Sequence, residues 1–164
     1  MNKYSQKYTI VCFTEDVNAG DDFPASNWPD HLTLVDIFSI DGPPDSLSAC
    51  LHKLANITPR QSTIVQNHEF FGPNSDISVA IVDRSLELHE LHSRILGILS
   101  QFNVKYDNPD RIDSGFLPHV TMKNGFQIPI GTVIELNNIA LVDMFPGDDH
   151  LQRKILSKYT LKSD

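Results

Sequence analysis

The chain is poor in cysteine, in basic residues and in long apolar runs. Its two cysteines, Cys12 and Cys50, lie inside apolar patterns, and neither has a Cys-x-x-Cys partner. That spacing argues against a thiolate zinc site, and both read as small core hydrophobes in a reducing compartment. Lys and Arg number 13 against 21 Asp and Glu, for a net charge of −8, and no basic run occurs. A broad docking surface for long nucleic acid is thereby disfavoured, whereas a small anion held by a few local donors is not. No stretch approaches the roughly 20 apolar residues that span a bilayer. Ile10-Val11-Cys12-Phe13, beside Lys3 and Lys7, is too short for the core of a secretory leader, so the expectation is a cytoplasmic protein that does not engage membranes.

What the chain does have is regular patterning. Tyr8–Thr14 reads as a buried strand and His31–Ile40 as a second, with a polar loop from Asp16 to Asp30 between them. Asp41-Gly42-Pro43-Pro44 punctuates the chain, and Asp45 or Ser46 is placed to cap a helix. Leu47, Cys50, Leu51, Leu54 and Ile57 form its apolar stripe. Ser62–Gln66 and Ile77–Asp83 read as strands around a Gly72-Pro73-Asn74 turn. A second helix starts near Ser85, with Leu88, Leu91, Ile95, Ile98, Leu99 and Phe102 on one face. A long loop marked by Asn108-Pro109 and Gly115 leads to a strand over His119–Asn124. Thr132–Met144 and Leu151–Leu161 read as closing strands. The order β-β-α-β-β-α-β-β-β predicts an α+β fold, one domain over residues 1–164 made of two pseudo-symmetric lobes. The strand beginning at His31 precedes its helix and the one beginning at His119 follows its own, so the lobes must exchange strands to be equivalent.

Two four-residue stretches stand out: His31-Leu32-Thr33-Leu34 and His119-Val120-Thr121-Met122, one in each half. Composition alone predicts only about 0.05 matches to His-apolar-Thr-apolar in a chain like this. Residues i and i+2 of a strand share a face. Each stretch therefore aims one imidazole and one hydroxyl at a common space and sends its apolar residues the other way. Histidine, with an ordinary pKa near 6.5, can serve as base when neutral and acid when protonated at neutral pH. Two such strands facing each other make an acid/base site that calls for no metal and no cofactor.

Asp30-His31-Leu32-Thr33-Leu34 and Phe116-Leu117-Pro118-His119-Val120-Thr121-Met122 resemble the paired motifs of the 2H phosphoesterase superfamily, which includes the 2′-5′ RNA ligase-like proteins and the 2′,3′-cyclic phosphodiesterases. The proline before the second histidine is usual there. The tail, with Ile139-Ala140-Leu141-Val142, Pro146-Gly147 and a final strand, is also similar. The resemblance implies a bilobal fold in which two antiparallel-rich sheets face a central cleft, with helices on the outer faces and both motif strands lining the cleft. It implies a hydrolase acting on a phosphodiester, with His31 and His119 as acid and base and Thr33 and Thr121 donating to the phosphate oxygens.

The acidic balance, concentrated before the first motif in Glu15, Asp16, Asp21, Asp22 and Asp30, points to a small nucleotide substrate: a 2′,3′-cyclic phosphate, a cyclic nucleotide or a short 2′-5′ oligonucleotide. RNA end processing or 2′-5′ ligation, with short RNA ends as partner, is the alternative. A nucleotide-binding module without turnover is another. The chain is expected to act as a monomer. Lys123 continues the inward alternation 119, 121, 123 and is the expected phosphate contact. Trp28 and Phe116 are the expected stacking partners of a base, with Phe126 as a further aromatic near the motifs. His89 and His92, three apart on the second helix, read as surface histidines, because no His-Glu-x-x-His pattern surrounds them. His52 reads as solvated.

Overall fold

The computed structural model describes residues 6–123 and 126–163. Its strands are β1 (Tyr8–Phe13), β2 (Asp22–Pro24), β3 (His31–Ser39), β4 (Gln61–Phe71), β5 (Ile77–Val82), β6 (Lys105–Tyr106), β7 (His119–Thr121), β8 (Val133–Leu136), β9 (Asn138–Asp143) and β10 (Gln152–Thr160). The helices are α1 (Asp45–Ile57) and α2 (Leu86–Leu99). Strands are joined by hydrogen bonds in the order β2-β10-β9-β1-β3-β7-β5-β4-β8, with β6 attached to the far end of β3, and each of these pairings is antiparallel. The resemblance implied an antiparallel-rich α+β fold with a sheet in each half, and the two are joined edge to edge, because β3 of one half pairs with β7 of the other through Leu32 and Val120.

Burial follows the periodicity. Leu47, Leu51, Leu54 and Ala55 of α1 and Leu88, Leu91, His92, Ile95 and Leu99 of α2 are buried, in one core with Leu32, Leu34 and Val120. Ile57, expected on the α1 stripe, is exposed, and Cys50 is only half-buried. Ser85 caps α2, its side chain accepting from the Leu88 N–H at 3.1 Å. Pro44, rather than Asp45 or Ser46, occupies the cap of α1. β1 is buried on both faces. Ile10 and Cys12 enter the main core, while Val11 and Phe13 join Phe23, Ile155 and neighbours in a small second cluster that Trp28 covers.

Two short strands, β2 and β6, fall where the sequence suggested loops. The expected strand over 132–144 is two, because the chain changes partners at Asn137. Leu136 pairs with Gln61 of β4, while Asn138 pairs with Thr160 of β10. This crossing returns the C-terminal strands to the first half, where β9 pairs with β1. Asn138 secures it. Its side-chain amide accepts from the Phe13 N–H at 3.0 Å and donates to the Phe13 carbonyl at 2.8 Å, continuing the ladder beyond the last backbone pair of β1 and β9. Phe13 in turn pairs with His31. No helix among the described residues is long and apolar enough to cross a membrane.

Asn138→Ala strips two buried backbone groups of their partners, at about 1–3 kcal/mol for each such group. We expect urea unfolding to show a loss of roughly 2–6 kcal/mol with an unchanged denaturant slope; a loss below about 0.5 kcal/mol would contradict this role.

Candidate active site

Alternation along β3 and β7 separates the two motifs into two faces. Leu32, Leu34, Val120 and Met122 are buried beneath the sheet, while His31, Thr33, His119 and Thr121 retain solvent access on the open face. Leu32 pairs with Val120. Continuing that antiparallel register by one residue each way sets His31 opposite Thr121 and Thr33 opposite His119. Each imidazole therefore stands beside the hydroxyl of the other motif, in addition to the one two residues along its own strand. Two cavities flank this seam. One, of about 290 Å³, takes the Thr33–His119 pair, and the other, of about 710 Å³, takes the His31–Thr121 pair. The first is at the small end and the second well within the range of small-ligand sites.

The two imidazoles are held in the same way. His31 Nδ1 lies 2.8 Å from the Pro29 carbonyl, and His119 Nδ1 lies 2.8 Å from the Leu117 carbonyl. A carbonyl only accepts, so Nδ1 carries the hydrogen in both rings. The neutral ring then presents a bare Nε2, and the charged ring an Nε2–H. Aromatic neighbours fix the ring planes. Trp28 lies against His31 with centroids 4.6 Å apart, and Phe13 meets it edge-on at 6.0 Å. Phe71 meets His119 edge-on at 4.9 Å. Burial is the main cause that pushes both imidazoles below their ordinary pKa. The charge of His119 and Lys123 adds to this at His31, and that of Arg111 at His119, against opposing pulls from the carbonyl bonds and from Asp30 and Asp36.

The residues expected to bind substrate fare differently. Trp28 is half-buried and lines the larger cavity, but its ring is engaged with Phe23 and His31. Lys123 is at the rim of the same cavity, 3.6 Å from Glu15 and 3.7 Å from Asp30. Its charge is thus shared with two carboxylates. Glu15 also accepts from the Asp30 N–H. Phe116 is buried, with His92 stacked on it at 4.0 Å and 1°; it is a wall of the smaller cavity rather than a free stacking face. Phe126 is exposed and lines neither cavity. His52 is exposed and stacks on Tyr159.

Sequence reasoning missed the cation of the smaller cavity. Arg111 is exposed and rests on Phe71, its guanidinium 4.9 Å from the ring centroid. No ion pair engages it among the described residues. Asn108 and Asp36, hydrogen-bonded to each other at 2.9 Å, line the same cavity. The only signal in the sequence was a loop rich in turn residues, which says nothing of where Arg111 points. His92 was also misread. It is fully buried rather than on the surface, and both its nitrogens are engaged. Among the described residues no group of three His, Cys, Asp or Glu side chains could hold a metal ion.

Comparison with known proteins agrees with this geometry. Residues 11–126, which include both motifs, match the 2′-5′ RNA ligase superfamily model. No curated protein matches by sequence. Among solved structures, a crystal structure described as a phosphoesterase superposes with a TM-score of 0.60 at 14% identity, covering 96% of this chain and 98% of that one. TT0787 of Thermus thermophilus does so at 0.56 and 18%, covering 96% and 99%. E. coli LigT complexed with 3′-AMP does so at 0.59 and 13%, covering 96% and 98%. With the motif seam, the fold and the family match in agreement, the chain belongs to the 2′-5′ RNA ligase superfamily, within the 2H phosphoesterases.

Proposed function

We propose that the chain is a phosphodiesterase that opens a small nucleotide phosphodiester by paired-histidine acid/base catalysis, without a metal. The substrate class is a 2′,3′-cyclic phosphate, a cyclic nucleotide or a short 2′-5′ oligonucleotide. The observation that carries the reading is the seam register, which sets each imidazole beside the opposite threonine on one open face. A phosphate placed over the seam meets Nε2 of one ring, Nε2–H of the other and two hydroxyls. The neutral ring takes a proton from water as its oxygen attacks phosphorus. The charged ring returns a proton to the departing ribose oxygen as the P–O bond breaks. Thr33 and Thr121 donate to the non-bridging oxygens, where negative charge accumulates. Arg111, at the His119 end and in no ion pair among the described residues, adds a charge-assisted donor. E. coli LigT, of like fold, has been crystallised with 3′-AMP, phosphate and ATP, which supports a nucleotide phosphate as ligand here. The free thiols of Cys12 and Cys50 and the acidic surface fit a cytoplasmic monomer acting on a small molecule. The family's name favours a second reading, joining or trimming of RNA ends, and the same groups would serve it by microscopic reversibility.

Hydrolysis of 2′,3′-cyclic nucleotides and 2′-5′ dinucleotides, assayed with chelator present, tests the proposal. Each of His31→Ala and His119→Ala should lower kcat by about 10²–10⁴-fold. Activity surviving both changes would refute it. Arg111→Gln should lower kcat/KM roughly 10- to 100-fold, as expected for a lost charge-assisted hydrogen bond. Lys123→Gln should change it less than about threefold, because exposed paired charges contribute little; the reverse ranking would exchange their roles.

The pH dependence follows from the downward shifts. The mechanism needs the pair singly protonated. Both rings release their proton below the ordinary value near 6.5, so this form is most populated on the acid side of 6.5 and gives way to two neutral rings as pH rises. The diester itself does not titrate in this range. The profile of kcat/KM, which reports the free enzyme, should therefore peak below pH 6.5 and fall towards alkaline pH. A maximum above pH 7.5 would contradict the assignment.

A further inference from the structure

The seam between the two motifs is short. β7 has three residues, and its pairing with β3 ends at Thr33 and His119. The Leu34 carbonyl, next along β3, is met by a side chain from α2: His92 Nδ1 lies 2.7 Å from it. The other nitrogen of the same ring, Nε2, accepts from the Asp113 N–H at 2.9 Å. Asp113 begins a tight turn, Asp113–Gly115, with φ of +59°, a conformation that costs a non-glycine residue. Phe116 follows, stacked face to face on the His92 ring. Next comes Leu117, whose carbonyl holds His119 Nδ1. His92 is thus strung between the first motif strand and the loop that delivers the second motif.

We propose that His92 is a positioning residue for the second motif: a doubly engaged, buried imidazole that ties the 109–117 loop to β3 and so sets where the His119 ring stands. The fixed side of the tie is the sheet and α2. The loop is the side that needs holding. Arg84 clamps it from outside through the Ser114 and Phe116 carbonyls. Gly115 packs so closely that an added Cβ would lie 1.9 Å from the Asp110 carbonyl oxygen. Only a neutral imidazole donates at Nδ1 and accepts at Nε2 together. The charged groups facing His92 are His89 on its own helix, Asp113 on the loop and Arg84. Burial, with His89 and Arg84, keeps its pKa below the ordinary value against the pull of Asp113 and the Leu34 carbonyl. The tie is therefore intact at neutral pH.

The inference rests on the acid/base role of His119 for its kinetic consequence but not for its structural one. In the full chain, NMR of the imidazole N–H protons reports the Nδ1–H bonds of His31 and His119 separately. His92→Phe keeps the ring that stacks on Phe116 and removes both hydrogen bonds. It should broaden or lose the His119 Nδ1–H signal while leaving that of His31 in place. His92→Gln, with one amide donor and one amide acceptor, should recover the signal at least in part. Gly115→Ala, which disturbs the same loop without touching α2, should also act on His119 alone. With 2′,3′-cyclic nucleotides, His92→Phe should lower kcat roughly 10- to 100-fold, the size expected of a misplaced catalytic group, with KM within about twofold. Equal loss of both histidine signals, or no change in either, would overturn the proposal. A selective loss at His119 in a protein that hydrolyses no nucleotide would uphold the tie and reject the proposed reaction.

Discussion

Everything at the candidate site depends on one cross-strand pair, Leu32 against Val120. The two residues are buried and apolar, and their pairing joins the halves of the sheet. It also decides the chemistry above it. With this register each histidine stands beside the other motif's threonine. A slip of one residue would turn the second motif's imidazole and hydroxyl into the core, at the cost of burying them unpaired. The hydrophobic pattern that folds the chain is thus also what aligns its reactive groups.

The two histidines are more constrained than a pair of exposed imidazoles. Each gives its Nδ1 hydrogen to a carbonyl two residues before it, from Pro29 or Leu117. Each is flanked by an aromatic ring, and each is pushed towards its neutral form by burial. Backbone geometry thereby fixes which nitrogen faces the ligand, and that constraint comes from segments lying just outside the motifs. The surroundings differ on the two sides. The His31 side has Trp28 and a lysine already shared between Glu15 and Asp30. The His119 side has an arginine lying on Phe71, in no ion pair among the described residues, with Asp36 lining the same cavity.

How much of this was legible in the sequence depended on whether the signal was local. Strand alternation in His-Leu-Thr-Leu and His-Val-Thr-Met is local, and the faces came out as alternation requires. The stripes of α1 and α2 are local too, and failed at Ile57, where the last turn passes beyond the core, and in part at Cys50, which is half-buried. Strand order is not local. The break at Asn137 arises because β4 and β10 compete for one continuous apolar stretch, and a linear pattern does not record which partner each residue takes. Lys123, expected on a strand that in fact ends at Thr121, still lines the larger cavity, but its carboxylate partners, Glu15 and Asp30, lie in the other half of the chain. Arg111 and His92 needed the loop's path through space. His92 in particular looks like any helical histidine until its two partners, the Leu34 carbonyl and the Asp113 N–H, are found on either side of it.

The most direct test of the account is a crystal structure of the chain with a nucleoside 2′- or 3′-monophosphate bound. The account predicts a phosphate over the β3–β7 seam, with its oxygens within hydrogen-bond distance, about 2.6–3.2 Å, of both Nε2 atoms and both threonine hydroxyls, and with Arg111 turned towards it. A phosphate bound to Lys123 or elsewhere, with the two Nε2 atoms facing only solvent, would contradict it.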